Sequence, residues 1–297
     1  MELPTISEAE LRKRARGMLL GMACGESVAG SAASCHLALE LGESLVARGA
    51  VEPELVLERW LRLDHPVRPR PGSITSQALQ LFEDGFPVEG LAEAAARVVP
   101  GRSGDGPLIR ALPLAIAARH DGAQLKRWAN QSASITHSDL TTRMATVGSC
   151  LLARDLLTRS LADSLARVAQ AVREEAPLRL ARALRLPSRD EWPEAGDDAA
   201  AVLSQAVHGL ASATDLEGVL QQVENQDQPR AGALALAGGL GGAAFGINPA
   251  APRLARLDRT LRFRLEQLAE GLVDFQAHQD LSRTGADSTS ASAARDS

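Results

Sequence analysis

Tyrosine is absent from the 297 residues, and aromatics make up only 3%. A core without them must be filled by Leu, Ala and Val. Ala and Leu are strong helix formers, whereas strands draw on β-branched and aromatic residues. Cysteine is equally sparse. Cys24, Cys35 and Cys150 are odd in number and widely spaced, which argues against a disulfide framework and supplies no close metal-ligand pair. Cys24 lies among small residues in an apolar stretch and reads as a buried structural thiol without the basic partner a nucleophile needs. No basic stripe is present: 32 Lys and Arg are interspersed with 37 Asp and Glu, for a net charge of −5. The electrostatic footprint of a nucleic-acid partner is therefore missing. The longest apolar run, residues 231–246, is too short and too glycine-rich for a membrane span. Glu2, Glu8 and Glu10 stand where a secretory leader would carry positive charge and then an apolar run. The expectation is a cytoplasmic protein with neither a membrane nor a nucleic-acid partner. No dinucleotide glycine signature, no phosphate loop ending in Lys-Ser or Lys-Thr, and no internal repeat is found.

What is present is a helical pattern. Hydrophobic residues form 45% of the chain and charged residues 23%, enough for a sizeable core. Ser7 with Glu10 has the spacing of a capping box, opening a helix that the pattern carries to about Ala23. Gly17, Gly21 and Gly25 share one face of that helix at i, i+4, i+8 and invite another element to pack closely. Further helices are expected over 34–48, from Pro53, from Ser73, and over 88–98, 107–119, 121–130 and 138–158. A long amphipathic helix is expected over 159–184, then others over 196–210, 214–224, 230–245 and 257–275. The prolines of 64–72 and of 187–193 mark loops. The reading is all-α: one compact multi-helical domain over residues 1–275, with 276–297 as a disordered tail.

Three constellations carry chemistry. Gly104-Asp105-Gly106-Pro107 precedes an apolar helix bearing Arg110, and such a junction can expose backbone N–H groups to an anion. An ordinary loop-to-helix turn has the same sequence, and Arg110 could hold Asp105 or face a ligand. Thr136-His137-Ser138-Asp139 precedes another helix, where His137 is either a satisfied structural histidine or a ligand contact. Residues 231–246 form a helix of small residues. Glu26 and Asp105 each follow a glycine. They are the candidates for a two-carboxylate glycosidase, with helix capping as the alternative role for both.

Taken in order, these fragments resemble the ADP-ribosylglycohydrolase family across residues 12–275. The family's glycine-rich first helix ends in Gly-Asp, matched here by Gly25-Glu26, and its following glutamate falls near Ala33. Its Thr-Asp-Asp-Thr is matched by Ser73-Ile74-Thr75-Ser76. Its Gly-Asn-Gly with Arg-x-x-Pro is matched by Gly104-Asp105-Gly106, Arg110 and Pro113, and its Thr-His by Thr136-His137. The last signal, Gly-Asp-x-Asp-Thr before a helix of small residues, places Pro229 and Ala231 at the aspartates and Gly232 at the threonine.

The resemblance implies an ADP-ribose-binding cleft lined by Ser73, Thr75, Gly104, Asp105, Gly106, Arg110 and His137. It also implies two divalent cations, usually magnesium, that this sequence is poorly equipped to hold. Magnesium is bound mainly through carboxylates and water; Ile74, Pro229 and Ala231 carry no side-chain oxygen, and Thr75 offers only a neutral one. No cofactor and no protein metal ligand is therefore expected, magnesium being the alternative if the alignment is displaced toward Asp227. The leading expectation is a catalytically degenerate member binding ADP-ribose or a related nucleotide in a regulatory or scaffolding role. The alternatives are an active hydrolase of a glycosidic bond to ADP-ribose or a related nucleoside, and a helical module that binds a protein partner and no ligand.

Overall fold

A computed structural model describes residues 6–64, 73–100, 104–173, 177–184, 199–226 and 230–275, all α-helix and connecting turn, with no strand among the described residues. The two predicted proline loops and the predicted tail lie wholly or largely outside them. In chain order the helices are α1 (Glu8–Val28), α2 (Ala33–Arg48), α3 (Pro53–Leu61), α4 (Ile74–Glu83), α5 (Leu91–Val98), α6 (Gly106–Arg110), α7 (Leu112–Ala117) and α8 (Gly122–Ser134). They continue with α9 (Leu140–Leu156), α10 (Leu161–Ala171), α11 (Leu178–Ala183), α12 (Ala199–Ala211), α13 (Leu216–Glu224), α14 (Ala231–Phe245) and α15 (Pro252–Ala255). A last helical run, α16, covers 259–275.

The centre of the fold is the α1–α14 pair. Ser7 caps α1 by accepting from the Glu10 N–H at 3.2 Å, and the helix runs past Ala23 to Val28, so that Gly25 lies inside it. Helix α14 is buried without a break from Gly232 to Ala243, as expected of a helix that is apolar all round. Its five glycines would each cost about 1 kcal/mol in an isolated helix relative to Ala. Their value lies in contact with α1. The two helices run antiparallel, Gly17 meeting Gly242, Gly21 meeting Gly238 and Gly25 meeting Leu234. A Cβ added at Gly21 would lie 2.2 Å from the Gly238 carbonyl oxygen, and one at Gly238 would lie 2.0 Å from that of Gly21. The backbones touch, and only glycine permits it.

The remaining helices wrap this pair. Helices α6, α9, α12 and α13 pack on α14, while α2 and α7 pack on α1. Helix α16 buries Leu265, Leu268 and Leu272. Arg12 bridges from α1 to Glu270 of α16, and Arg264 of α16 reaches Glu40 and Glu43 of α2. Among the described residues no helix is long and apolar enough to cross a membrane.

Two expected helices are divided. The run over 107–119 breaks at Ala111, because Pro113 has no N–H to give to Ile109; α6 and α7 meet there, with the Leu114 N–H bonded back to Ala111. The run over 159–184 is not one helix. Helix α10 stops at Val172 and α11 starts after Pro177, a proline that removes a donor and disfavours helix in the residue before it.

Candidate functional site

One cavity of about 220 Å³ is lined by Glu26, Ser73, Ile74, Thr75, Gly104, Asp105, Gly106, Arg110, His137, Ala231 and Gly232, among others. Every ligand residue read from the sequence therefore reaches the same place. The helices explain why. The C-terminal end of α1 and the N-terminal ends of α2, α4, α6 and α14 all border the cavity. His137 enters from the turn before α9, whose start is capped by Asp139 accepting from the Thr142 N–H.

The two candidate carboxylates are engaged at helix starts. Glu26, 5% exposed, accepts from the N–H groups of Ser34 and Cys35, both at 2.8 Å, and from the Ser31 hydroxyl at 3.4 Å. These are the second and third residues of α2, whose own N-cap position, Ala32, has no side-chain acceptor. Glu26 supplies that cap from another helix. Asp105 does not cap its own α6. Its Oδ2 lies against the second residue of α14, close enough that a Cβ on Gly232 would come within 1.8 Å. Negative charge is favoured at that helix end, and the glycine makes room for it. Ser73 likewise caps α4 by accepting from the Ser76 N–H at 3.1 Å.

Arg110 has the least expected setting. It is fully buried, yet no carboxylate pairs with it among the described residues. Its Nη1 donates to Thr75 Oγ1 at 3.2 Å and its Nη2 to Thr136 Oγ1 at 2.5 Å. Its Cζ lies 4.8 Å from the centre of the Trp60 ring, a cation–π contact, and its Nε has no acceptor among the described residues. Burial alone pushes the guanidinium down to about 9, so it stays charged at neutral pH. The sequence left open whether Arg110 holds Asp105 or faces a ligand; its protein partners are two threonine hydroxyls and an indole.

His137 is 1% exposed. Burial, with repulsion from Arg110 added, holds it well below the usual histidine value, so the ring is neutral at pH 7. Its Nδ1 lies 2.7 Å from Thr136 Oγ1, and its Nε2 has no partner among the described residues. Thr136, Trp60, Ser31 and Ser34 were not singled out as site residues by sequence. Thr136 was in view only as half of the Thr-His element. Trp60 comes from α3, far from any motif, and nothing in its local sequence marks it.

The cations implied by the resemblance do not fit this donor set. The Ile74 side chain is buried and apolar, Ala231 and Gly232 have no side-chain oxygen, and the Thr75 hydroxyl already accepts from a guanidinium. A fixed positive charge at that oxygen repels a divalent ion, which would demand carboxylates there. Pro229 and Asp227 lie outside the described residues. Among the described residues, no group of three or more His, Cys, Asp or Glu side chains is disposed to hold a metal.

A larger hollow, about 500 Å³, lies at the opposite end of α1 and α14, beside Lys13, Phe245 and Ile247. Its polar neighbours are satisfied by one another: Arg253 pairs with Glu217 and Glu224, and Asp215 caps α13. The smaller cavity is the one with unanswered donors.

Comparison with known proteins agrees with the motif order. The family model for ADP-ribosylglycohydrolase matches residues 7–281. No curated protein matches. A solved structure titled "ADP-ribosylglycohydrolase-related protein complex" superimposes with a TM-score of 0.73 at 23% identity, covering 90% of this chain and 99% of that one; at that identity the likeness speaks for the fold. With a match spanning nearly its whole length, this chain belongs to the ADP-ribosylglycohydrolase family.

Proposed function

We propose that this chain is a family member without metal-assisted hydrolysis, whose cleft binds ADP-ribose or a related nucleotide in a regulatory or scaffolding role. The observation that carries the reading is Arg110. A buried guanidinium occupies Thr75, the residue standing where a metal-binding carboxylate would be needed. Water activation of the family's kind depends on a cation to lower the pKa of the water and orient it. A base would be the other route, and the candidates are committed elsewhere. Glu26 caps α2, Asp105 Oδ2 lies against Gly232 at the start of α14, and His137 Nδ1 is 2.7 Å from Thr136 Oγ1.

Nucleotide binding needs none of the missing carboxylates. A diphosphate placed near Gly104 and Gly106 would find Arg110 as its countercharge, and His137 could donate to a phosphate or ribose oxygen. The role is tested by incubating the purified protein with arginine- and serine-linked ADP-ribosylated substrates, with magnesium and with chelator. Negligible release of ADP-ribose is expected in both. Robust turnover that disappears on chelation would establish the hydrolase alternative.

A further inference from the structure

The geometry points to a cationic centre built from side chains. We propose that Arg110 and the Nε2–H of His137 together bind one small oxyanion, phosphate or carboxylate, beside the position where the family's sequence pattern calls for metal ligands. The proposal deepens the nucleotide reading and rests on the same cleft, but it names the group recognised and does not require a nucleoside.

The first support is an unbalanced charge. Taking a guanidinium out of water is costly unless an opposite charge answers it. Arg110 is 0% exposed and, among the described residues, is answered only by two neutral hydroxyls and the face of Trp60. Its Nε–H is left without an acceptor. An oxyanion in the cavity would supply both the missing charge and the missing acceptor.

The second support is the proton arrangement at His137. Arginine only donates, so Thr136 Oγ1 accepts from Arg110 Nη2. The Thr136 hydroxyl is itself fully buried, and its own hydrogen needs an acceptor. His137 Nδ1, at 2.7 Å, is the one in place. The hydroxyl therefore donates to Nδ1, and the neutral ring must carry its proton on Nε2. That nitrogen is a buried donor with no protein acceptor. Arg110 fixes the tautomer through Thr136, and both ends of the relay present an unanswered N–H.

The third support is space. A Cβ on Gly104 would come 2.5 Å from His137 Nε2, and one on Gly106 would come 3.4 Å from Arg110 Nη1. Neither glycine has positive φ, so backbone conformation does not demand glycine at either place. What glycine provides is a close backbone approach to His137 Nε2 and to the guanidinium, beside the cavity that both side chains line.

The test titrates inorganic phosphate and pyrophosphate, each in chelator, into the full chain and into Arg110→Met, Arg110→Lys and Thr136→Val. Thermal melts accompany each variant to confirm folding. Saturable phosphate binding is expected in the parent, weakened at least about tenfold in Arg110→Met, with Lys restoring part of it. Long-range ¹⁵N–¹H spectra of the parent are expected to show His137 protonated at Nε2 and that proton moving on phosphate addition. Thr136→Val is expected to mix the tautomers and weaken phosphate. An Nδ1–H ring in the parent, or phosphate binding unchanged in Arg110→Met, would overturn the proposal without depending on how any other variant folds. ADP-ribose then separates the two readings. Phosphate that binds with no response to ADP-ribose supports the oxyanion centre and defeats the nucleotide reading. ADP-ribose that binds equally to Arg110→Met, with no competition from phosphate, defeats the oxyanion centre and keeps the nucleotide.

Discussion

The α1–α14 seam and the cavity at one end of it use glycine in opposite ways. Along the seam, the volume given up by Gly21 and Gly238 is filled by the other helix's carbonyl groups. Around the cavity, the volume given up by Gly104 and Gly106 lies in front of His137 Nε2 and Arg110 Nη1, and no protein acceptor answers the former. The seam is closed and apolar, as expected where burial stabilises the fold. The cavity collects a buried charge, two carboxylates held at helix starts and a relay of hydroxyls. In the proposed reading, the first region carries stability and the second recognition.

The largest effect should come from breaking the seam. Gly21→Ala or Gly238→Ala drives a Cβ into a carbonyl oxygen that belongs to a helix and cannot swing aside, so the cost should reach or exceed about 3 kcal/mol, the upper end for ordinary overpacking. A thermal melt should fall by several degrees or the protein should fail to fold. A melt like the parent's would mean that the helices are not in backbone contact.

Arg110 sharpens the comparison, because stability and recognition should separate there. Arg110→Met removes a buried charge that has no carboxylate partner, so its melting temperature should equal or exceed the parent's, while anion affinity falls at least about tenfold. A large loss of stability would make Arg110 part of the scaffold. Gly104→Ala offers a milder version: its Cβ crowds Nε2, and binding should weaken with only a modest change in melting.

A smaller effect should appear with pH. Burial holds the folded His137 well below the ordinary histidine value, so the unfolded chain takes up a proton below about pH 6.5 that the native chain refuses. That contribution to stability is full above this pH and declines as pH falls through it. His36, lowered chiefly by burial, acts in the same direction. His137→Gln should flatten the fall in melting temperature between pH 7.5 and 5, and an unchanged slope would show that this histidine is protonated when folded. The least perturbing probe is thiol modification. Cys24, Cys35 and Cys150 are all buried, and burial raises each thiol, Cys24 to about 11. A thiol reagent at pH 8 should label none of them until denaturant is added.

Much of this was legible in the sequence, and the limits have physical causes. Ser7, the spacing of Gly17, Gly21 and Gly25, and the small-residue run from Ala231 announced both helices of the seam, because close packing leaves a periodic trace in residue size. The cavity residues were found through the order of loop-to-helix junctions. What could not be read was how those residues bond. Capping was an open alternative for Glu26, but Asp105 set against Gly232 and Trp60 beneath Arg110 are contacts between distant segments, and no local pattern encodes them. The breaks at Ala111 and before Pro177 were encoded locally, by prolines to which the apolar period gave too little weight.

In the proposed reading Arg110, which the family's sequence pattern shares, is left as the positive charge of a cleft whose metal-binding carboxylates are missing. Calorimetric titration of ADP-ribose into the parent, once in chelator and once in millimolar magnesium, tests it most directly. The same affinity is expected in both, with the heat lost in Arg110→Met. Binding that appears only with magnesium, and survives in Arg110→Met, would contradict it.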